Sequence, residues 1–283
     1  MKKLSSRNYE LGEIMRPIAS YVMPVKNGGK FIKKTLESLF LQTLNEIEII
    51  VVNDHSEDDT VNIVNNLIKK DSRLRMIHLK DTTGVSAGRN AGTRVASGEI
   101  ILPADADDLN FPNRAEVTIE ELKRNKADLF YGNVERFYVE TGERKPRHFQ
   151  PYDAKLLRYI NFIPNPASGF TRKVFDKVGP YDENLVIGED YDLFLSAEEE
   201  GFKFCSKNVL LAQYTMQPNQ VTSTNSPEKI RVRQKYNRLV RQKHSLFSID
   251  IDYVKNKAAS EVVDFYVNQK FDIWFALESI PER

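Results

Sequence analysis

Apolar runs of strand length alternate with helical stretches through the first third of this chain. The runs at 18–25, 46–53, 74–79 and 99–102 are rich in Ile, Val and Leu, and a stretch with a helical pattern follows each of the first three. Parallel strands need crossover connections of this kind. We therefore expect an α/β fold, with a mostly parallel sheet flanked by helices on both faces. The third helix is predicted to take Ser86 as its N-cap.

The composition excludes several classes of protein. A formal net charge of +1 gives the 283-residue chain no overall attraction to nucleic acid, so no nucleic-acid partner is expected. The single cysteine, Cys205, cannot form an internal disulfide, and the N-terminal residues lack the apolar core of a secretory signal. No apolar run approaches the roughly 18 to 20 residues that span a bilayer. We therefore expect a cytoplasmic protein, peripheral to any membrane that it contacts.

Three carboxylates follow the fourth predicted strand within one short segment, Asp105-Ala106-Asp107-Asp108. Carboxylates this close repel one another unless a cation lies between them, and oxygen ligands suit a hard divalent ion such as Mg²⁺ or Mn²⁺. The alternative is an acidic turn in which Asp108 caps the next helix. Both interpretations stay open on these residues alone.

A second polar turn, Asn53-Asp54-His55-Ser56, follows the second predicted strand. Ligands of open α/β sheets bind at the carboxyl ends of the strands, where both polar turns would lie. The chain has no G-x-G-x-x-G after the first strand and no G-x-x-x-x-G-K-[ST]. A dinucleotide-binding domain and a P-loop NTPase are therefore not expected.

Five short segments, taken together, resemble the family 2 glycosyltransferases, which are inverting nucleotide-sugar enzymes of the GT-A fold. They are Met23-Pro24-Val25-Lys26-Asn27, Val52-Asn53-Asp54-His55-Ser56, Gly84-Val85-Ser86-Ala87-Gly88-Arg89-Asn90, Asp105-Ala106-Asp107-Asp108 and Gly188-Glu189-Asp190-Tyr191-Asp192-Leu193. The last two look like the family's DXD element and its downstream acidic motif. Each segment alone is a weak signal, but five in the right order carry the resemblance from Ala19 to Tyr214.

The resemblance divides the chain into three parts. A polar leader at 1–16 would precede a GT-A catalytic domain at 17–226. Within that domain, 17–112 would form the nucleotide-binding half and 113–226 the acceptor half. The remainder, 227–283, would form a helical C-terminal extension.

For the donor, the resemblance implies a UDP-sugar rather than a purine nucleotide. Asp54 stands where the family uses a carboxylate to accept the uracil N–H, and Pro24, Val25 and Asn27 would line the base and ribose. Gly84 would open the third helix beside them. His55 is expected to be a solvated loop residue rather than a proton donor.

For the metal, the resemblance implies Mn²⁺ or Mg²⁺ held by Asp107 as the direct ligand. Asp105, with its neighbour Ala106, would orient the ribose or a metal-bound water. Many relatives add a late histidine to the metal shell, and Gln217 stands in its place here. A glutamine carbonyl oxygen would be a weaker ligand for Mn²⁺ than imidazole.

Arg89 falls in the first turn of the third predicted helix, where the helix dipole favours anions. Its guanidinium could reach the diphosphate of the donor. An ion pair with Asp105 and a solvated surface position are the alternatives. Lys26 either adds positive charge near the diphosphate or lies on the surface.

Inversion requires a base that removes the proton of the acceptor hydroxyl. The resemblance makes Asp190 the candidate base, with Glu189 beside it, since adjacent residues at a helix start point in different directions. Asp192 as the base, and Glu189 as a ligand of an acceptor hydroxyl, are alternatives. So is a purely structural role, in which acidic first-turn residues complement the helix dipole.

The C-terminal extension carries a basic segment at 229–243 that contains no acidic residue. Such a helix could lie on an anionic membrane surface, although packing on the catalytic domain with a solvated basic face is favoured. Aromatic residues then concentrate near the end of the chain at Phe265, Tyr266, Phe271, Trp274 and Phe275. They would cover the core, contact a second copy of the chain in a homo-oligomer, or contribute acceptor surface.

We therefore expect transfer of a hexose or N-acetylhexosamine from a UDP-sugar to a glycan or lipid-linked glycan, as in polysaccharide biosynthesis. One alternative is a nucleotide-sugar-binding relative that has lost catalysis. The other is a phosphatase with an aspartyl nucleophile, whose D-x-D motif normally follows the first strand rather than the fourth.

Overall fold

The computed structural model describes residues 16–217, 227–246, 248 and 250–258. The predicted leader before residue 16 and the aromatic residues after 258 lie outside the described residues. The first half of the structure alternates strands and helices in the order β1 (Ala19–Val25), α1 (Ile32–Phe40), β2 (Ile47–Asn53), α2 (Thr60–Ile68), β3 (Leu74–His78), α3 (Val85–Val95) and β4 (Ile100–Pro103). These strands confirm the four predicted strands to within one residue at each end.

The second half is less regular. It contains β5 (Leu109–Asn110), α4 (Arg114–Asn125), β6 (Leu129–Tyr138), β7 (Arg144–Arg147), α5 (Ala154–Leu157), a 3₁₀ turn (Asn165–Ala167), β8 (Ser168–Thr171), α6 (Arg172–Val178), α7 (Glu189–Glu199), β9 (Phe204–Met216), α8 (Pro227–Lys243) and α9 (Ile251–Lys257). No helix within the described residues is long and apolar enough to cross a membrane.

Within the described residues, the strands form one nine-stranded sheet in the order β3-β2-β1-β4-β8-β6-β9-β5, with β7 paired to β6. β1 to β4 run parallel, and Ala19 lies opposite both Ile47 and Ile100. β8 runs antiparallel to β4 and β6, whereas β9 is parallel to β6. The mostly parallel sheet is thus confirmed.

Both faces of the sheet are buried. Tyr21 and Met23 of β1 pack on one side with α1, α2 and α4, whereas Val22 points to the other side, which α3, α6 and α7 cover. This alternation follows from the two-residue period of a strand. Each fully buried side chain of this size contributes about 1.5–3 kcal/mol to stability.

Helix α3 approaches β1 more closely than any residue with a Cβ would allow. A Cβ at Gly88 would lie 2.6 Å from the Cβ of Pro24, and one at Gly92 would lie 2.5 Å from Cγ1 of Val22. The two glycines therefore let the start of α3, including Arg89, lie directly over the end of β1.

The predicted N-cap of α3 is wrong, and Asp108 does not take the alternative role of a helix cap. Helix α3 begins one residue after Gly84, which has a positive φ of 102°, and Ser86 lies inside the helix with its hydroxyl donating to the carbonyl of Leu185 at 3.1 Å. Helix α4 has Asn113 as its N-cap, and Asp108 does not cap it. Instead, the Asp108 carboxylate accepts the backbone N–H of Thr215 at 2.8 Å.

Candidate active site

The polar turns after β1, β2 and β4 meet at one edge of the sheet. The loops after β1 and β2 are joined directly, because the backbone N–H of Asn27 donates to the hydroxyl of Ser56 and that of Glu57 donates to Asn27 Oδ1, both at 2.9 Å. Asn27 has a φ of 52° and is exposed, while Pro24 and Val25 lie below it at the end of β1. The three residues predicted to line the base and ribose are therefore neighbours at this edge.

Asp54 lies at the centre of the second turn and is 5% exposed. Its two carboxylate oxygens lie 2.7 and 2.8 Å from the Thr83 hydroxyl, and one of them accepts the Gly84 N–H at 2.8 Å. Burial alone would raise the pKa of Asp54, but hydrogen bonds from His55, Thr83 and Gly84 outweigh burial and hold that pKa below its usual value. Asp54 is therefore an anion that ties the loop before α3 to β2.

His55 is a half-exposed loop residue, as expected, but both of its ring nitrogens are engaged. Nδ1 lies 3.0 Å from an Asp54 oxygen and Nε2 lies 3.1 Å from the Lys80 carbonyl. These two hydrogen bonds raise the pKa of His55. The backbone of His55 has a φ of 51°, which places the ring across the two loops. Lys26 is exposed near this group and helps to lower the pKa of Asp54.

The acidic loop after β4 is held from both sides. Thr35 donates to the Ala106 carbonyl at 2.9 Å, and Gln217 Nε2 donates to Asp107 Oδ2 at 2.9 Å. Below the loop, the fully buried Arg114 donates to the carbonyl of Pro103 at the end of β4. Asp107 and Gln217, predicted as metal ligands, are thus in direct contact.

The three carboxylates of the loop differ in exposure. The Asp105 side chain is 28% exposed, Asp107 is half-buried and Asp108 is 1% exposed. Burial raises the pKa of Asp108 well above its usual value, and the negative charges of Asp107 and Asp105 raise it further. The loop therefore concentrates negative charge and oxygen donors, which are the ligands that a hard divalent ion prefers.

The loop does not form a complete metal cage. Among the residues that the structure describes, no three His, Cys, Asp or Glu side chains form a group that could hold a metal ion. Two accessible carboxylates and an amide instead fit a cation that takes its other ligands from a bound diphosphate and water, as Mg²⁺ commonly does.

Arg89 connects this loop to the downstream acidic motif. Its side chain is 5% exposed, donates from Nη2 to Asp105 at 3.0 Å and pairs through Nη1 with Glu189. It also lies over the Tyr181 ring, 5.6 Å from the centroid. Burial would lower the pKa of Arg89, but Glu189 and Asp105 outweigh that effect and raise it. The ion pair with Asp105, one of the alternatives from the sequence, is present.

Glu189 and Asp190 open α7 and point in different directions. Glu189 is 7% exposed and faces Arg89, whereas Asp190 is half-buried and accepts a long hydrogen bond of 3.4 Å from Asn161 Nδ2. Burial raises the pKa of both carboxyl groups, despite the opposing effect of Arg89. Asp190 is therefore the more exposed member of the pair.

Asp192 does not fit the role of base. It is 3% exposed and faces α8, where it contacts Lys243 Nζ at 2.8 Å and His244 Nε2 at 2.9 Å. These contacts also place α8 against the body of the protein, with a solvated basic face. The predicted domain bounds stay predictions.

Sequence reasoning missed several residues of the site. Thr83, Thr215 and Asn161 contact Asp54, Asp108 and Asp190. Only Thr83 had a local signal, since it lies in a polar turn directly before a helix start. The other two reach the site from distant parts of the chain.

The chain matches the sequence model of glycosyl transferase family 2 over residues 20–179. A similar protein is the uncharacterized glycosyltransferase EpsJ of Bacillus subtilis, which is 29% identical over 74% of this chain and 64% of the relative. Another is the Escherichia coli UDP-Glc:alpha-D-GlcNAc-diphosphoundecaprenol beta-1,3-glucosyltransferase WfaP, 28% identical over 83% of this chain and 87% of the relative. The chain thus spans less than two thirds of the length of the Bacillus relative.

Two solved structures share the fold. One is S. aureus TarS 1–349 in complex with UDP-GlcNAc, with a TM-score of 0.64 and 21% identity over 78% of this chain and 65% of that chain. The other is the mannosyltransferase PcManGT from Pyrobaculum calidifontis in complex with GDP-Man and Mn²⁺, with a TM-score of 0.64 and 16% identity over 94% of this chain and 75% of that chain. The predicted GT-A fold is thereby confirmed.

Proposed function

Because the chain belongs to glycosyl transferase family 2, we propose that it transfers a hexose or an N-acetylhexosamine from a UDP-sugar to a hydroxyl of a glycan or lipid-linked glycan, with inversion. The observation that carries this proposal is the Arg89 bridge. One buried guanidinium joins Asp105 of the acidic loop to Glu189, the neighbour of the candidate base Asp190. A sugar donor bound at the acidic loop and a sugar acceptor bound beside the start of α7 would meet at Asp190.

The uridine of the donor would lie at the Asp54 end of the edge. The Thr83 hydroxyl has one proton and can donate to only one of the two nearby Asp54 oxygens at a time. The other oxygen can therefore accept a further hydrogen bond, such as one from the uracil N–H. Pro24, Val25 and Asn27 would line the base and ribose. A UDP-sugar is supported by WfaP, whose name includes UDP-Glc, and by TarS, whose structure is a complex with UDP-GlcNAc, whereas PcManGT holds GDP-Man.

A divalent ion, Mn²⁺ or Mg²⁺, would be held by Asp107, with Asp105 and the side-chain oxygen of Gln217 as further ligands. For the last of these the Gln217 amide must turn, since its nitrogen now donates to Asp107. When bound, the ion supplies positive charge against the negative charge that grows on the departing diphosphate.

Asp190 would act as the base. As the acceptor oxygen forms its bond to the anomeric carbon, its proton passes to the Asp190 carboxylate, and the bond from the anomeric carbon to UDP breaks with the electron pair leaving on UDP. The raised pKa of Asp190 supports this role, because a base is most effective when its pKa approaches the working pH. Glu189 would stay paired with Arg89.

A lipid-linked acceptor would bring the enzyme to a membrane surface. Helix α8 leaves basic Arg231 and Lys235 exposed together with apolar Val232 and Leu239, a combination that suits an anionic lipid surface. Co-sedimentation with anionic vesicles at low and physiological salt tests this contact. An absence of binding at both salt concentrations would remove it from the proposal.

The transfer itself is tested with a panel of sugar nucleotides. The protein is incubated with UDP-glucose, UDP-galactose, UDP-GlcNAc or GDP-mannose and Mn²⁺, with water in place of the acceptor hydroxyl, and release of the nucleotide by hydrolysis is measured. We expect release from at least one UDP-sugar and none from GDP-mannose. Release from GDP-mannose alone would contradict the UDP assignment, and UDP binding without any release would favour the non-catalytic alternative.

A further inference from the structure

The end of helix α8 and the residue that follows it, His244, are attached to α7 by a group of charged residues, of which His244 and Asp192 are buried. The side chain of His244 is 3% exposed and lies between two carboxylates of α7, with Nε2 2.9 Å from Asp192 and Nδ1 2.9 Å from Glu199. Lys243 adds a second contact to Asp192 at 2.8 Å. We call these four residues the His244 cluster.

Apolar and backbone contacts extend the attachment on both sides of the cluster. Val240 is fully buried, and its Cγ2 lies 3.6 Å from where a Cβ of Gly188 would be, directly before the start of α7. Arg241 donates to the carbonyls of Arg158 and Tyr159 at 3.4 and 3.2 Å. Helix α8 therefore contacts both the start of α7 and the segment that leads to Asn161.

These are the two parts of the chain that surround Asp190. Its neighbours in α7 are all anchored: Glu189 pairs with Arg89, the Tyr191 hydroxyl donates to the Leu157 carbonyl at 2.7 Å, and Asp192 is held by α8. Its hydrogen-bond donor Asn161 follows the segment that Arg241 holds. The Asp190 carboxylate thus lies between two elements that α8 and the residue after it both contact.

We propose that the His244 cluster makes α8 part of the active site, with His244 and Lys243 as positioning residues that hold the first turn of α7 so that Asp190 faces the acceptor. This inference rests on the proposed function. His244 acts through Asp192 and touches no reacting atom. A buried carboxylate is costly without its partners, so loss of His244 leaves Asp192 with Lys243 alone and lets the first turn shift. A misplacement of about 1 Å at a catalytic group can cost about a hundredfold in rate.

The test compares His244→Gln with Gln242→Ala, a substitution at an exposed position of the same helix. UDP release from UDP-glucose and UDP-GlcNAc gives kcat and KM, calorimetry with Mn²⁺ gives the affinity for UDP, and hydrogen exchange reports on the first turn of α7. For His244→Gln we expect kcat to fall by about tenfold or more, because positioning acts on the chemical step, with the UDP affinity unchanged and exchange at 189–192 accelerated. Gln242→Ala should match the wild type in all three measurements.

A milder variant guards against loss of the fold. Lys243 is half-exposed, and Lys243→Gln should lower kcat in the same direction by a smaller factor, again without a change in UDP affinity. Equal kcat values for wild type and both cluster variants would overturn the proposal, as would a parallel fall in kcat and UDP affinity in Lys243→Gln. A wild-type protein that turns over no sugar nucleotide would instead overturn the proposed function, and with it the catalytic meaning of the cluster.

Discussion

Two aspartates at opposite ends of the site have pKa values shifted in opposite directions. Burial acts to raise the pKa of each, but Asp54 in the turn after β2 accepts hydrogen bonds from His55, Thr83 and Gly84 and ends below its usual value. Asp190 at the start of α7 accepts a long bond from Asn161 and one from its own helix start, and its pKa ends above the usual value. The hydrogen bonds that each carboxylate accepts, rather than burial alone, thus decide the direction of its pKa shift. The lowered pKa suits Asp54 to binding, and the raised pKa suits Asp190 to accepting a proton.

The largest expected effect is on turnover. Asp190→Asn should lower kcat by about 10²–10⁴-fold, because it removes the base, while the affinity for UDP stays unchanged. Steady-state kinetics and calorimetry measure the two quantities. Asp176→Asn, at an exposed position of α6, is the matched control and should behave as the wild type. A fully active Asp190→Asn protein would exclude Asp190 from the mechanism.

The next effect concerns the bridge between the two halves. Arg89→Met leaves the buried carboxylate of Glu189 and the partly exposed carboxylate of Asp105 without this cation, so the free energy of unfolding should fall by about 3–5 kcal/mol. Arg94→Met, at an exposed position of the same helix, should change it by about 0.5 kcal/mol or less. Urea denaturation compares the two variants.

The double variant Arg89→Met/Glu189→Gln sharpens this result. It removes one of the two stranded charges, so it should regain part of the stability that Arg89→Met loses. Equal stability of Arg89→Met and Arg94→Met would show that the bridge contributes nothing.

A smaller effect is expected at the donor end. Asp54→Asn removes the charge that would accept the uracil N–H, and a hydrogen bond to a charged group contributes about 1.5–3 kcal/mol, so the affinity for UDP should fall by roughly 10- to 100-fold. The Mn²⁺ dependence of binding should persist, since the acidic loop is untouched. Asp59→Asn, exposed at the start of α2, is the control. An unchanged affinity for UDP in Asp54→Asn would show that the uracil does not bind at Asp54.

The smallest expected effect is the order in which turnover and UDP binding are lost as the pH falls. Asp190 becomes a base only above its raised pKa, so kcat should fall as the pH falls through a value above the ordinary aspartate range. The lowered pKa of Asp54 keeps that group ionised further into acid, and its contribution is lost only as the pH falls through the lowered value. Kinetics and binding of UDP-glucose across the acid range test this order. Loss of binding before loss of turnover would contradict it.

The sequence predicted the first four strands well, because they are rich in apolar residues and β1, β2 and β4 are mostly buried. It did not predict β9, in which Lys207 and Asn208 are exposed and the pairing with β6 contains register shifts. A local sequence pattern carries no information about pairing between two strands that are far apart in the sequence.

The same limit applies to the site. The family resemblance identified five acidic candidates: Asp54, Asp105, Asp107, Glu189 and Asp190. Their roles depend on partners from elsewhere in the chain. No local sequence pattern marks His244, yet it lies between two carboxylates of α7. Ser86 has the residue type of a helix cap, but the helix begins earlier, directly after Gly84 with its positive φ. The Ser86 hydroxyl therefore lies inside the helix and donates to the Leu185 carbonyl. Tertiary contacts decided each of these cases.

The proposed mechanism requires that this edge of the sheet binds UDP together with a divalent ion at Asp107. Calorimetric titration of UDP into the wild type and Asp107→Asn, each with and without Mn²⁺, is the decisive experiment. We expect tight binding only for the wild type with Mn²⁺, and weak binding in the other three titrations. Binding of equal strength in all four, or no binding to the wild type with Mn²⁺, would contradict it.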